Sequence, residues 1–511
     1  MYHLRVTYTP CSRLRMDMSK KASSFELALG HPPSGQKKSR WLYTSLKSAI
    51  LAGQIPAGTR IPSTRAIGEA FQMARGTVVD AFELLLAEGY LRSETGSGTW
   101  IAPLRTRLDV AQAVQHPVRE ARTGTGHLSE RSRVFREFHF ATSKRRVDTT
   151  LFPYYPALDL FPLDIWRQTA SKRMRRLDTA SMTNQHPLGF LPLREAIADY
   201  LRLSRGISCT AERIALVNGV QQALDIVARL VADPGDTAVI EDPCYPGAVA
   251  VLTAAGLCLE PLPVDREGLQ IQLAKHSCGN ARLAFVTPAH QAPLGVIMSA
   301  QRRIELLAWA QRNDAVIFED DYDSEFRYSG WPVPALGAQD DSKRVITFGA
   351  FTKTLFPSLR IGYVVLPDWL VEPFQGAISI TARYPEPAMQ QVLFDFIVQG
   401  HYVRHIQRMR TRYAERRQFL AREIEAKLGS FMRLDQLGDG IATIGWLRKT
   451  SAAHASRLAL RHNLVLVALS RYVVAHRRAE GLVLGFANAK EATLPQTMNR
   501  LKRVLVEASR R

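Results

Sequence analysis

Between residues 193 and 348 the sequence alternates short apolar runs with amphipathic segments, and this alternation restricts the fold more than any other feature. Apolar runs of strand length predict strands at 214–217, 237–240, 284–287, 315–318 and 345–348. Helical spacing of apolar residues predicts intervening helices at 193–203, 221–231 and 302–312. Strands separated by helices indicate an open α/β sheet covered on both faces, with ligands at the carboxyl ends of the strands. A later helix near 401–422 and the segment up to 511 predict a smaller C-terminal subdomain.

One lysine follows directly after the last of these predicted strands. The segment 348–363, FGAFTKTLFPSLRIGY, places Lys353 in a turn rich in Gly, Thr and Pro. Enclosure disfavours the ammonium form, so the free amine becomes a nucleophile toward an aldehyde. Arg360 follows one short loop later, and its planar guanidinium suits a phosphate. Taken alone, the segment fits a surface lysine beside a structural arginine equally well.

A second strand end carries an anion-binding pattern. The segment 218–222, NGVQQ, joins a predicted strand to a predicted helix. The backbone N–H groups of Gly219, Val220 and Gln221 would therefore form an anion site at a helix N-terminus. Tyr245 follows the next strand, where its ring could stack on a flat ligand.

Two further strand ends carry hydrogen-bonding and acidic groups. His290 and Gln291 lie in the turn after strand 284–287. Carboxylates crowd behind strand 315–318 in the segment 319–327, EDDYDSEFR. A carboxylate at such a strand end can keep a pyridine nitrogen protonated. Each group alone is weak evidence, because an acidic cluster is usually a solvated loop; the order of the groups along the chain is the specific signal.

The N-terminal part of the chain has a different pattern. Three short helices are predicted, at 41–51, from Ser63 as N-cap, and at 75–87. The segment 90–101 predicts a strand, a glycine turn and a returning strand. Together these elements indicate a winged helix-turn-helix whose third helix enters the major groove. A generic three-helix bundle with a hairpin has the same composition.

Charge and composition narrow the partners and the compartment. The 67 Lys and Arg residues against 47 Asp and Glu give a net charge of +20, which favours a polyanion such as nucleic acid. Five cysteines without a CxxC pair suggest neither a disulfide framework nor a metal site. No apolar run reaches membrane-spanning length, so we expect a cytoplasmic protein that does not enter membranes.

The 511 residues predict more than one domain. We expect a flexible leader at 1–38, a DNA-binding domain at 39–102, a basic linker at 103–153 and a large α/β domain at 154–511.

Four short motifs connect the N-terminal domain to a known family. The motifs PSTR (62–65), ARGTV (74–78), EGYL (88–91) and GSGT (96–99) resemble the DNA-binding domain of the GntR regulators in type and order. The resemblance implies that the DNA-contacting residues are Arg65, Arg75, Thr77, Gly96 and Gly98. Ala74 and Gly76 depart from the family, which often has Ser and Asn there; a lost cap costs about 1 kcal/mol.

The motifs EDDYDSEFR (319–327) and FTKTLFP (351–357), in their order, resemble the fold type I aminotransferases, which use pyridoxal 5′-phosphate (PLP). Joined to the GntR-like domain, they resemble the MocR subfamily of regulators. The implied fold is α/β: an N-terminal winged helix-turn-helix joined to a PLP-dependent transferase (fold type I) domain with a smaller C-terminal subdomain.

The same resemblance implies roles for single residues. Lys353 would bond to the cofactor aldehyde and Asp320 would pair with the pyridine nitrogen. The remaining implied cofactor contacts are Tyr322, His290 or Gln291 near the ring hydroxyl, Tyr245 stacked on the ring, Arg360 with Gly219, Val220 and Gln221 at the phosphate, and Thr352.

Several positions depart from the aminotransferase pattern. Ala350 and Asn184 stand where a hydroxyl and a tyrosine usually assist phosphate binding, and each change should cost about 0.5–1.5 kcal/mol. Ala292 replaces an asparagine of true aminotransferases. The segment 481–488, GLVLGFAN, lacks the arginine that normally binds the substrate carboxylate.

These observations predict a regulator that binds double-stranded promoter DNA, and the resemblance to the MocR subfamily implies a head-to-tail homodimer. Its PLP-binding domain would sense a small amine, an amino acid or PLP itself through Lys353. Two alternatives remain open: an active aminotransferase with an accessory DNA-binding module, and a repressor whose aminotransferase-like domain is only a dimerisation scaffold. Because the carboxylate-binding arginine is missing, we expect sensing rather than turnover.

Overall fold

The computed structural model describes residues 29, 36–94, 97–103, 128–129, 132–137, 148–179, 182–183, 185–275, 280–328, 330, 333–434 and 438–510. The chain divides into two compact units, 1–126 and 127–511. Most of the predicted leader and linker lies outside the described residues, as do Gly96 and Asn184. Within the described ranges no helix combines the length and apolarity needed to cross a membrane.

The first unit contains three helices and a small antiparallel sheet. The helices are α1 (Lys38–Leu51), α2 (Thr64–Ala70) and α3 (Arg75–Ala87). The strands are β1 (Arg60–Ile61), β2 (Leu91–Glu94) and β3 (Gly98–Ile101), in the order β1-β3-β2. The helices bury Leu42, Leu46, Val78 and Leu85 completely, so the apolar spacing read from the sequence forms this core. The predicted winged helix-turn-helix is confirmed.

The second unit contains a large sheet, a small sheet and the helices that cover them. Its helices are α4 (Ser132–Glu137), α5 (Leu163–Met174), α6 (Leu191–Ser204), α7 (Val220–Val231), α8 (Pro246–Ala254), α9 (Ala300–Arg312), α10 (Asp368–Thr381), α11 (Pro387–Val398), α12 (His401–Leu428), α13 (Ala452–Arg461) and α14 (Leu494–Ala508). Its strands are β4 (Ile214–Val217), β5 (Thr237–Asp242), β6 (Cys258–Asp265), β7 (Gly268–Leu269), β8 (Ala281–Val286), β9 (Val316–Asp321), β10 (Val345–Ala350), β11 (Gly362–Val365), β12 (Met432–Leu434), β13 (Ala442–Leu447), β14 (Val467–Ala468) and β15 (Gly481–Gly485).

The large sheet has eight strands in the order β4-β11-β10-β9-β8-β5-β6-β7. The neighbouring strands β6, β5, β8, β9 and β10 are parallel, and β6 is not among the predicted strands. Every residue of β4, β5 and β9 is buried, so the sheet is covered on both faces. The strand β11 was not predicted; it runs antiparallel between β10 and β4.

Aromatic side chains hold three central strands in register. The ring centroids of Phe285 and Phe318 are 5.9 Å apart, and those of Phe318 and Phe348 are 6.2 Å apart, both pairs stacked. In the parallel ladder Phe348 lies opposite Asp320. The loop that follows β10 and carries Lys353 therefore begins beside the acidic end of β9.

The small sheet, in the order β12-β13-β15-β14, forms the C-terminal subdomain together with α12, α13 and α14. The predicted end of the linker at residue 153 is corrected here. Leu151 is completely buried in the core of this unit, and Asp148 forms a parallel bridge with Leu464. Residues 148–153 therefore belong to the folded second unit, because an apolar side chain and a backbone bridge fix them there. The predicted linker also contains the short helix α4.

Candidate cofactor cavity and DNA-binding surface

A cavity lies where the carboxyl ends of β5, β9 and β10 meet the N-terminus of α7. It brings together most of the predicted cofactor-binding residues. Its lining comprises Tyr154, Gly219, Val220, Gln221, Tyr245, Ala292, Asp320, Tyr322, Phe348, Ala350, Thr352, Lys353, Arg360 and Tyr472. These positions are spread over more than 300 residues of sequence, and the crossovers of the sheet collect them at one edge.

Lys353 lies on the loop after β10 and reaches into this cavity. Its Nζ donates a hydrogen bond to the carbonyl oxygen of Tyr154 at 2.9 Å and lies 5.7 Å from the centroid of the Tyr154 ring. Burial lowers the pKa of Lys353 to about 8, although the charges of Asp323 and Asp320 oppose the shift. About a tenth of the amine is therefore unprotonated at pH 7, far more than for an exposed lysine, and this is the form that attacks an aldehyde.

Asp320 is the second-last residue of β9 and lines the cavity. The residue is 5% exposed, and its Oδ1 has no hydrogen-bond partner among the described residues. Burial, with a further contribution from the charge of Asp321, raises the pKa of Asp320 to about 8. A buried acceptor without a donor costs about 1–3 kcal/mol, so a ligand N–H at this point would be stabilised. The protonated nitrogen of a pyridine ring supplies such a donor.

The opposite end of the cavity presents groups that suit an anion. Gly219 has φ of +105° and precedes α7, whose first backbone N–H groups face the cavity. A Cβ at Gly219 would lie 3.2 Å from Arg360 Nη2, so only glycine leaves this cradle open. Arg360 Nη2 donates to the carbonyl of Asn218 at 2.5 Å. Ala350 also lines the cavity and, as the sequence indicates, offers no hydroxyl.

Four tyrosines surround the space between these two ends. Tyr245 and Tyr322 were predicted; Tyr154 and Tyr472 were not. The Tyr245 ring packs so closely on Gly247 that a Cβ there would lie 2.5 Å from it. Burial raises the pKa of Tyr245 to about 12 and raises the pKa of Tyr154 and Tyr322 well above the usual range of a phenol, so all three remain neutral phenols.

His290 and Gln291 do not line the cavity. His290 Nδ1 lies 2.9 Å from the Tyr322 hydroxyl and 3.0 Å from Asp323 Oδ1, so the imidazole is placed behind Tyr322. Burial would lower the pKa of His290, but the charge and hydrogen bond of Asp323 leave it raised. Gln291 Nε2 donates to Glu241 Oε2 at 3.1 Å and to the Pro243 carbonyl at 2.7 Å. Its predicted cofactor contact stays a prediction; the contacts here are structural.

The first unit presents its predicted DNA-binding residues on the surface. The Arg65 side chain is 83% exposed and pairs with Glu69 at 3.2 Å. Arg75 is exposed in the first turn of α3, two residues before the half-buried Thr77. Ser63 caps α2 by accepting from Ala66 N, whereas Ala74 offers α3 no side-chain cap.

The wing of this unit is described in part. Gly98 has φ of +107°, and a Cβ there would lie 2.9 Å from Arg60 Nε. Glycine is therefore required at the start of β3 by both backbone and space. Gly96 lies outside the described residues, so its predicted contact stays a prediction.

The fold and the cavity define a fold type I aminotransferase-like unit in a chain that also carries a winged helix-turn-helix. Comparison with known proteins agrees with both assignments. The aminotransferase class I and II family matches residues 156–501, and the bacterial regulatory proteins of the gntR family match residues 38–101. The family of the larger unit implies PLP binding, and that of the smaller unit implies DNA binding.

Two regulators are similar to the chain over almost its whole length. The probable rhizopine catabolism regulatory protein MocR of Rhizobium meliloti is 39% identical over 91% of this chain and 92% of its own. The HTH-type transcriptional regulator TauR of Rhodobacter capsulatus is 30% identical over 96% of this chain and 100% of its own. The chain therefore belongs to the MocR subfamily of GntR-type transcriptional regulators.

Among solved structures, the kynurenine aminotransferase of Pyrococcus horikoshii is similar to the larger unit. The match has a TM-score of 0.65 and 24% identity, and it covers 73% of this chain and 98% of the enzyme. At this identity the similarity shows the fold. The predicted PLP-dependent transferase fold is confirmed.

Proposed function

We propose that this transcriptional regulator binds PLP in the cavity and uses it to sense a small amine, an amino acid or PLP itself, changing its binding to promoter DNA. The observation that carries the proposal is the unpartnered, buried Asp320 Oδ1 in the same cavity as the enclosed amine of Lys353. An acidic acceptor and a nucleophilic amine at one site suit a pyridine aldehyde. Few other ligands would use both groups.

Different residues of the cavity would contact different parts of the cofactor. Lys353 would hold it covalently, Asp320 would accept from its ring nitrogen, and Tyr245 would stack on its ring. Arg360, Gly219 and the N–H groups of Val220 and Gln221 would bind its phosphate, with Thr352 beside them. When bound, PLP supplies an aldehyde reactive toward amines and a ring that withdraws electrons.

Sensing fits the cavity better than efficient turnover of α-amino acids. Arg360 is the one arginine that lines the cavity among the described residues, and the proposal assigns it to the phosphate. The described strand β15 and residues 486–487 are buried, Asn488 is half-buried, and this stretch contains no arginine for a substrate carboxylate. Turnover nevertheless remains the second candidate function, because Lys353 and Asp320 are the groups that an aminotransferase needs.

The residues that would contact DNA are Arg65, Arg75, Thr77, Gly98 and Gly96. The protein would bind its operator in the cytoplasm. A homodimer, in which the predicted arrangement is head-to-tail, would present two such surfaces. The observation that supports a homodimer is a group of exposed apolar side chains in the second unit, on or beside α5: Leu163, Ile165, Met174 and Leu177. These residues would be covered by a partner subunit.

The proposal is tested by titrating the cofactor-loaded protein with candidate amines while following its visible absorbance, in parallel with a promoter mobility-shift assay. We expect one class of amine to change both signals. Lys353→Ala should abolish the absorbance and the response, whereas Lys343→Ala, at an exposed lysine paired with Asp368, should keep both. A Lys353→Ala variant with normal cofactor absorbance or ligand response would refute the proposal.

Two further measurements separate the alternatives. Steady-state transfer of amino groups across a broad panel of amino and keto acids would support the aminotransferase, and its absence would support the regulator. Retained promoter binding and ligand response without any cofactor would support the plain repressor. The affinity for DNA should also fall steeply with salt through counterion release, and a flat salt dependence would argue against contacts to phosphates.

A further inference from the structure

The segment 148–157, called the strap below, crosses the second unit with both ends attached to the C-terminal subdomain. At its start Asp148 forms the bridge with Leu464 and accepts from Thr497 Oγ1 at 2.7 Å. At its end Ala157 N donates to the Tyr413 hydroxyl at 2.9 Å. The strap is therefore anchored on α12, α14 and the chain around β14.

The middle of the strap is packed against β15. Gly485 N donates to the carbonyl of Leu151 at 2.9 Å. A Cβ at Gly485 would lie 2.2 Å from the carbonyl oxygen of Phe152, so the backbones approach too closely for a side chain. With Leu151 completely buried, this stretch cannot shift without disturbing the subdomain core.

Tyr154 is the residue at which the strap touches the cavity. It adopts φ of +59°, which is unfavourable for a residue with a Cβ and must be offset by its contacts. Its carbonyl oxygen accepts from Lys353 Nζ at 2.9 Å, and its ring meets the Tyr322 ring edge-on at 5.5 Å. The cofactor lysine is thus hydrogen-bonded to a strap whose anchors all lie on the C-terminal subdomain.

We infer that Tyr154 is a positioning residue whose backbone carbonyl holds the free amine of Lys353. The packing of the strap against the second unit then depends on whether that amine is free or bonded to a cofactor. This regulatory role rests on the proposed function, because it requires that Lys353 bonds to a cofactor. The strap directly follows residues 138–147 of the predicted linker. A change at Tyr154 therefore arises a few residues from the segment that leads to the DNA-binding unit.

The Tyr154 carbonyl and a bound ligand would compete for one nitrogen, Lys353 Nζ. Lys353 Nζ cannot remain directed at the Tyr154 carbonyl and also turn toward a ligand that pairs with Asp320. When the hydrogen bond is lost, the strap loses a contact that offsets the unfavourable φ of Tyr154. Its backbone amides should then open more often, and hydrogen exchange detects such openings.

The test is hydrogen exchange of peptides covering residues 148–157 in full-length cofactor-free protein. We expect Lys353→Met, which removes the donor but keeps the length of the side chain, to speed exchange about 2- to 10-fold, the range that one net hydrogen bond provides. Loading the wild-type protein with PLP should speed exchange in the same peptides. Unchanged exchange in Lys353→Met relative to the wild-type protein would overturn the inference.

Two matched variants sharpen this test. Lys353→Arg keeps a donor for the carbonyl but cannot bond to the aldehyde, so its exchange should stay near the cofactor-free wild-type rate with or without PLP. Tyr154→Phe keeps the carbonyl and the ring, so it should preserve the acceleration on PLP loading. Loss of that acceleration in Tyr154→Phe would assign the effect to the phenol and contradict the role of the carbonyl.

The comparison of cofactor-free proteins separates this inference from the proposed function. The exchange rate of cofactor-free Lys353→Met can be measured without DNA and without PLP. If exchange in this variant is faster than in the wild-type protein but the wild-type protein does not bind PLP, the proposed function is contradicted and the role of the strap is not. A normal ligand response without any acceleration would contradict the strap alone.

Discussion

The cofactor cavity and the recognition helix use basic residues in opposite ways. Lys353 is enclosed beside Asp320, and burial lowers its pKa to about 8. Arg75 stands exposed at the start of α3. The lysine becomes useful by losing its charge, because only the free amine attacks an aldehyde. In the proposed function the exposed guanidinium of Arg75 pairs with phosphates or guanine edges.

The two sites also differ in the structural elements that position their residues. The floor and walls of the cavity come from buried strands in register, so its geometry is set by the core. The DNA-binding surface depends on short helices, one of which begins at Ala74 without a side-chain cap. Substitutions should therefore affect the two regions independently, with the larger effects in the buried one.

Asp320→Asn should produce the largest effect. Removing one partner of a buried, hydrogen-bonded charge pair costs about 2–5 kcal/mol, so the affinity for PLP should fall by about 30- to 5,000-fold. Equilibrium titration of the cofactor-free protein measures this. Asp314→Asn, at an exposed carboxylate paired with Arg344, is the matched control and should bind PLP normally. Equal affinities in the two variants would show that Asp320 does not pair with the cofactor.

Arg75→Ala should weaken operator binding by about 1–3 kcal/mol and leave PLP binding unchanged. Arg75→Lys keeps the positive charge but loses the planar fork. If Arg75 reads a guanine, the lysine variant should lose sequence preference; if it contacts a phosphate, binding should be largely retained. Footprinting with operator and random DNA distinguishes these results, and an unaltered footprint in Arg75→Ala would show that α3 is not the recognition helix.

The rate of PLP attachment should depend on pH with a midpoint near 8. Below pH 8 the ammonium form of Lys353 dominates, so each unit of pH should cost about tenfold in rate. Above pH 8 the rate should level off, whereas an exposed lysine would gain rate up to about pH 10.4. Stopped-flow absorbance measures the profile, and a midpoint near 10 would contradict the enclosure of Lys353.

The smallest effects should come from the helix caps of the first unit. Ser63→Ala removes the acceptor for Ala66 N and should destabilise α2 by about 0.5–2 kcal/mol. Ala74→Ser supplies the missing cap and should stabilise α3 by a similar amount. Hydrogen exchange in each helix measures both changes. If Ala74→Ser left the protection of α3 unchanged, the absence of a cap would have no energetic meaning.

Local patterns made much of the fold predictable. Apolar periodicity located β4, β9, β10 and the helices of the first unit, because burial imposes that periodicity, although β9 and β10 continue to Asp321 and Ala350, past the predicted ends. The antiparallel strand β11 was missed. Its four residues, Gly362–Val365, follow the Lys353 turn so closely that no turn signal separates them from it.

The cavity was predictable wherever a motif lies at a strand end, as for Lys353, Asp320, Tyr245 and Gly219. Tyr154 and Tyr472 gave no signal, because each reaches the cavity from a distant part of the chain through tertiary packing. The predicted cofactor contact of His290 stays a prediction, because its imidazole contacts Tyr322 and Asp323 and does not line the cavity. A turn after a strand shows that its side chains lie near the sheet edge, but it does not show which of them another side chain, here Tyr322, will cover.

The antiparallel course of β11 has a consequence for the length of the ligand. Because β10 and β11 are hydrogen-bonded neighbours, the chain must return through residues 351–361 within one strand spacing. That return carries both the amine of Lys353 and the guanidinium of Arg360. In the proposed function, the loop therefore sets the distance between the amine that bonds to the aldehyde and the guanidinium that binds the phosphate. Inserting one residue into the loop 351–361 would change the distance between Lys353 and Arg360 and leave the pairing of β10 with β11 intact.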